Sequence, residues 1–119
     1  VQVQGLHHVN VNVRDLSEAL AFYVDGLGFA VLPRPDFGFP GAWLQMGAHQ
    51  LHLVEAPEAV IDRGQHFALE VADLDAACHE LDAAGIDHQR RPHRTGAGRQ
   101  VFLRDPSGNL IELNQPDRG

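Results

Sequence analysis

The chain contains no lysine, because all nine of its basic residues are arginines. That excludes any mechanism built on a lysine Schiff base. A single cysteine, Cys78, leaves nothing for an internal disulfide or a thiolate-rich metal cage. It falls in a helical pattern and reads as a small core residue. No run approaches the ~20 apolar residues of a membrane span. The first residues do not combine a charged start with an apolar stretch, so the expectation is a cytoplasmic protein without a signal peptide. Nine basic against sixteen acidic residues give a formal charge of −7. Phosphate binding relies on a basic face, so neither nucleic acid nor an anionic membrane is an expected partner. What is plentiful is histidine, eight in 119 residues. A 44% hydrophobic share suits one globular domain spanning residues 1–119.

The chain is written twice. "HVNVNVRDLSEALAFYVDGLGF" from His8 matches "HFALEVADLDAACHELDAAGID" from His66, pairing Val13 with Val71, Asp15 with Asp73, Leu16 with Leu74 and Ala19 with Ala77. Each copy reads as strand, Asp turn, amphipathic helix, glycine stop and strand. Asp15, Ser17 and Asp73 are candidate helix caps, and Gly28 and Gly85 sit where a left-handed residue ends a helix. "WLQMGAHQLHLVEAP" then matches "VFLRDPSGNLIELNQP" as a second hairpin, turning at Gly47-Ala48-His49 and at Asp105 to Asn109. The expected fold is therefore α+β. Two tandem βαβββ modules, at about 4–57 and 64–116, form a curved, cup-like mixed sheet with helices on its outer face. Neither module can bury its sheet alone, so the two pack together or exchange with a second chain.

Strand parity selects the candidate site. Alternate side chains of a strand face opposite sides. In "HVNVNV" the valines take the core and His8, Asn10 and Asn12 the other face. In "QLHLV" the leucines leave Gln50 and His52; in "QHFALEV" Phe67, Leu69 and Val71 leave His66 and Glu70; in "NLIELN" Ile111 and Leu113 leave Glu112 and Asn114. His8 and His66 are equivalent in the two repeats, as are His52 and Glu112, and a pseudo-two-fold axis would bring the four toward one point. Three imidazoles and a carboxylate suit one divalent transition ion per site, Zn, Ni, Co, Mn or Fe(II). Asn10 and Asn12 would wet the cavity wall. Gln50 and Asn114 would contact substrate or support the ligands. Trp43, with Phe37 and Phe39 in "RPDFGFPGAW", would line an apolar pocket, close the core or fill an interface.

These stretches, with "LHHVNVNVRDLSEALAFYVDGLGF" first among them, resemble the vicinal oxygen chelate superfamily, the glyoxalase, bleomycin-resistance and extradiol-dioxygenase group. The resemblance covers nearly the whole chain. In that family the ligands lie at the ends of the first and last strands of each module, which here are His8, His52, His66 and Glu112. The family commonly forms dimers with one ligand pair from each subunit, which implies a homodimer in which His8 and His52 of one chain meet His66 and Glu112 of another.

The chemistry implied is bidentate capture of vicinal oxygens on a small substrate and Lewis-acid stabilisation of an enediolate-like charge, with Glu112 as the catalytic proton-moving group. A glyoxalase-I-like lyase or isomerase is the first expectation. The resemblance also implies two alternatives: an Fe(II) extradiol-type ring-cleaving dioxygenase, and a small-molecule binding or resistance protein without catalysis. Glyoxalase I types usually place a glutamate where His52 stands, and their glutathione-contacting arginine and asparagine would fall at Asn12 and Ala56. Fosfomycin-resistance transferases rely on a lysine absent here. The loop "RRPHRTGAGR" reads as a solvated basic loop or a lid over an anionic substrate. His49, His79, His88 and His93 read as surface residues.

Overall fold

In the computed structural model, which describes residues 1–118, each repeat folds as its alternation predicts. The chain divides into two units, Val1–Ile61 and the remainder from Asp62. The first unit contains β1 (His8–Val13), α1 (Leu16–Leu20), β2 (Ala30–Leu32), β3 (Gly41–Met46) and β4 (His49–Glu55). Its sheet runs β1-β4-β3-β2, with β1 parallel to β4 and the other neighbours antiparallel. The second unit contains β5 (His66–Glu70), α2 (Leu74–Ala83), β6 (His88–Arg90), β7 (Arg99–Arg104) and β8 (Leu110–Gln115). Its sheet runs β5-β8-β7-β6 with the same senses. Each is a mixed four-stranded βαβββ sheet, the α+β architecture expected.

Both helices start on an aspartate. Asp15 accepts from the Glu18 N–H at 2.9 Å and Asp73 from the Ala76 N–H at 3.0 Å, satisfying amides that a helix start leaves unpaired. A second acceptor arrives from the end of the last strand, which pairs directly with the first. The Glu55 carboxylate takes the Leu16 N–H at 2.8 Å, and the Gln115 side-chain oxygen takes the Leu74 N–H at 2.9 Å. The last strand of each unit thus holds the first turn of its helix. Gly28 and Gly85 end the helical segments with φ of +82° and +70°, which other residues adopt only with strain.

The first helix departs from the simple amphipathic reading. After Leu20 it widens into a π-wound segment, Ala21–Gly26, and the Leu27 N–H reaches back five residues to the Phe22 carbonyl at 2.9 Å. Tyr23 in this segment is fully buried. Cys78 lies buried on α2, as its helical position predicts.

The cores follow strand parity. Val13, Leu44, Leu51 and Leu53 are fully buried in the first unit, as are Val101 and Ile111 in the second, with Leu74, Leu81 and Leu103 nearly so. Each such side chain contributes roughly 1.5–3 kcal/mol relative to exposure. Among the described residues no helix is long and apolar enough to cross a membrane. Leu53→Ala should destabilise the chain by about 2–5 kcal/mol through transfer and cavity costs, and Asp73→Ala by about 1 kcal/mol through the lost cap. Urea unfolding of the two variants checks the order, and equal small losses would contradict the burial assigned to Leu53.

Candidate metal centre

Two pairs of candidate ligands form, one in each unit. In the first unit the His8 ring stacks on His52 with centroids 4.0 Å apart and planes 17° apart, and His52 stacks in turn on Trp43 at 4.4 Å and 9°. The stacking follows from register, because Asn10 and Trp43 flank His52 on the two neighbouring strands and His8 lies one pleat along β1. His52 is buried, while His8, Asn10 and Asn12 are exposed. The Gln50 side-chain oxygen bonds the His52 Nε2 at 2.9 Å, and the His8 and His7 Nδ1 atoms share a bond of 2.8 Å. Burial first, then the neighbouring charges of His8, His7 and Arg34, lowers the proton affinity of His52. A neutral imidazole is the form that binds a divalent ion.

In the second unit the His66 Nε2 lies 3.2 Å from Glu112 Oε1. Its other nitrogen, Nδ1, donates to the Gly64 carbonyl at 3.0 Å. A carbonyl can only accept, so Nδ1 carries a proton and the neutral ring holds its lone pair on Nε2. That lone pair would face a carboxylate oxygen, an arrangement that calls for a cation, either a second ring proton or a metal ion. Two donors each about 2.1 Å from one ion lie roughly 3.0–3.4 Å apart at right-angled or tetrahedral geometry, and the observed separation falls in that range. His66 and Glu112 therefore fit a divalent ion, with the Gly64 carbonyl orienting the imidazole from behind.

Glu112 is buried on β8 between Ile111 and Leu113. Burial pushes its carboxyl up. Hydrogen bonds from the Asn114 amide at 2.8 Å and the Gln100 amide at 3.0 Å, both on Oε2, together with His66, more than offset this and leave it below the ordinary value. Oε2 is thus held by two amides while Oε1 faces His66. Gln100, on β7, went unnoticed in the sequence. Its place opposite Asn114 in the β7–β8 register is the signal that would have found it.

The remaining predicted residues are dispersed around these pairs. Gln50 bonds His52, and Asn114 bonds both Glu112 and the Ala97 carbonyl. Trp43 is half-buried against His52. Among the described residues no three His, Cys, Asp or Glu side chains are grouped to hold an ion. His88 is not the surface residue expected, since it is half-buried on β6 with Nδ1 on the Ile86 carbonyl. His49 opens β4 rather than sitting in the turn. In the arginine-rich stretch, Arg90 and Arg99 both bond Asp75, and Arg91 lies 5.4 Å over the Phe102 ring.

Removing the amides that hold Oε2 should raise the Glu112 pKa, because the desolvation cost remains. A folded-state pKa below the ordinary 4.5 contributes stability above that pH and loses it as the pH falls through the folded value. Gln100→Leu and Asn114→Ala should each move the Glu112 titration upward and begin acid destabilisation at higher pH. Carboxyl NMR titration and acid unfolding in the presence of a chelator read both, and an unmoved titration would contradict the assigned bonds.

Comparison with known proteins agrees with this architecture. The model of the Glyoxalase/Bleomycin resistance protein/Dioxygenase superfamily matches residues 5–113. "Glyoxylase I 4" of Arabidopsis thaliana is 31% identical over 124 residues, covering 95% of this chain and 71% of the relative. "Lactoylglutathione lyase" of Salmonella typhimurium is 29% identical over 127 residues, covering 91% and 90%. Among solved structures, TnmS3, an antibiotic binding protein from Streptomyces sp. CB03234, superposes with a TM-score of 0.78 at 33% identity, covering 98% of this chain and 99% of that one. The chain belongs to the Glyoxalase/Bleomycin resistance protein/Dioxygenase superfamily.

Proposed function

We propose that this protein is a glyoxalase-I-like, divalent-metal-dependent lyase or isomerase acting on a small substrate with vicinal oxygens. The observation that carries the reading is the His66–Glu112 pair, with its 3.2 Å donor separation and its imidazole oriented by the Gly64 carbonyl. The stacked His8–His52 pair occupies the equivalent positions of the other repeat. His8, His52, His66 and Glu112 would hold one ion, Zn, Ni, Co, Mn or Fe(II). In a homodimer, each site would take the histidine pair from one chain and the His66–Glu112 pair from the other.

The bound ion would supply Lewis-acid stabilisation of negative charge developing on a substrate oxygen. The chain's residues set the rest. Gln100 and Asn114 keep Glu112 ionised at neutral pH, which suits a ligand. The same bonds make it a weaker base than a free glutamate, so the proton it moves must come from a carbon already acidified. Asn10 and Asn12 share the exposed face of β1 with His8, and Asn10 would offer its amide to a substrate oxygen there.

A second reading, a small-molecule binding protein without catalysis, is favoured by the 33% identity to an antibiotic binding protein. The two readings separate on metal. Elemental analysis of the purified chain should find a divalent ion bound in stoichiometric amount. His8→Ala and Glu112→Ala should each lose most of it, along with turnover of a 2-oxoaldehyde thiol hemiacetal in the presence of Ni, Co or Zn. Full metal content in both variants would refute the ligand set; no bound metal and no gain in thermal stability on adding one would favour binding without catalysis. Oxygen uptake on catechols with Fe(II) would instead mark ring cleavage.

A further inference from the structure

We infer that Arg34, Phe37 and Trp43 recognise a flat aromatic anion, so that the small molecule taken by this chain carries an acidic group on an aromatic ring. The inference rests on the reading that the His8–His52 face meets a small molecule, and it names the chemical class of that molecule.

The first unit carries a continuous file of rings. Phe39 stacks on Phe37 at 5.9 Å, Phe37 lies 5.9 Å from Trp43, Trp43 stacks on His52, and His52 on His8. The inner members are half-buried or buried, but Phe37 and Phe39 stand 50% and 47% exposed. Two phenyl rings held in register at a surface form a platform for another π-face. Candidate ligands thus close one end of the file, and the other end is open.

Arg34 lies across that open end. Its guanidinium carbon is 4.9 Å from the Phe37 centroid and 5.1 Å from that of Phe39, within cation–π range. Gly41 leaves it room, since a Cβ there would come within 2.8 Å of a terminal nitrogen and would also overlap the Leu53 carbonyl. Arg34 is therefore seated by rings and by a missing side chain. Among the described residues it has no carboxylate partner and no hydrogen-bond acceptor, whereas Arg90 and Arg99 share Asp75 and Arg104 bonds two carbonyls. A guanidinium laid on aromatic faces keeps its planar fork of donors free at the rim, and that fork matches a carboxylate. Through Phe37 and Trp43 the file of rings connects this cation to His52, which places the cation and the candidate ligand in one neighbourhood.

Ring faces reward a flat apolar body, and the fork rewards an anionic edge. A saturated acid loses the first and a neutral aromatic the second. Trp43 is the only tryptophan, so one indole N–H resonance reports directly on the platform.

The test titrates the full chain, with and without chelator, using 4-nitrobenzoate, its neutral counterpart 4-nitrobenzyl alcohol, and cyclohexanecarboxylate. The nitrobenzoate should shift the indole resonance saturably and bind roughly tenfold tighter than either comparison compound. Arg34→Gln should abolish the preference for acid over alcohol while leaving the alcohol affinity unchanged. Phe37→Leu should weaken both aromatics together and spare the saturated acid. The shift should persist in chelator, which separates this result from any failure to find metal. No saturable shift at millimolar probe, equal binding of all three compounds, or a retained acid preference in Arg34→Gln would overturn the assignment. So would a shift that vanishes with chelator, because the carboxylate would then be held by an ion.

Discussion

The strand next to the parallel edge of each sheet carries aliphatic side chains on one face and a single titratable group on the other, and the rest of the site depends on that division. Leu51 and Leu53 are fully buried on β4 with His52 between them; Ile111 and Leu113 are buried on β8 with Glu112 between them. Because the side-chain period is two, these aliphatic side chains cannot enter the core without presenting the histidine or the glutamate to the opposite side. A slip of one residue would turn the aliphatic side chains out of the core and the polar group into it, so hydrophobic burial enforces the position of the chemistry. Fold stability and site geometry are here the same constraint.

Burying a polar group costs free energy unless it has partners. The two units meet that cost differently. Glu112 is supplied with amides from Gln100 and Asn114, which keep it charged; His52 lies between two ring planes with one bond to Gln50, and burial first, then the neighbouring charges of His8, His7 and Arg34, lowers its proton affinity. The repeat has thus diverged into an anionic half and an imidazole half while keeping the same frame. The shared frame shows in the helix starts, where Glu55 and Gln115 reach back to Leu16 and Leu74 from matching strand ends. Membership of the glyoxalase superfamily fits a frame that is preserved while the site-bearing face varies.

That variation is clearest around Arg34. The β2–β3 connection contributes no strand residue, yet it lays a guanidinium and two phenyl rings beside the Trp43–His52 stack. Loops carried by a rigid sheet are where recognition usually resides. The sheets position the candidate ligands, and this loop is the part of the first unit free to select what approaches them.

Much of this was legible in the amino-acid order, because it rests on local rules. The duplication, the aspartate caps, the glycine helix ends, and the placing of His52 and Glu112 opposite the leucines all follow from periodicities of two to four residues. The contacts among distant residues were not legible. Glu55 meets Leu16 and Gln115 meets Leu74 across some forty positions. Gln100 bonds Glu112 from another strand. Two nearer features follow no periodicity either: Arg34 settles over Phe37 and Phe39 by the path of its loop, and α1 widens into a π-wound segment around a buried tyrosine. Such pairings depend on strand register and loop path, which only the folded chain decides. Sequence alone determined which faces the chemical groups occupy, because alternation is a property of each strand. Tertiary structure decided their neighbours, and with them their charge and orientation, because a side chain's partners are set by the packing of elements distant along the chain.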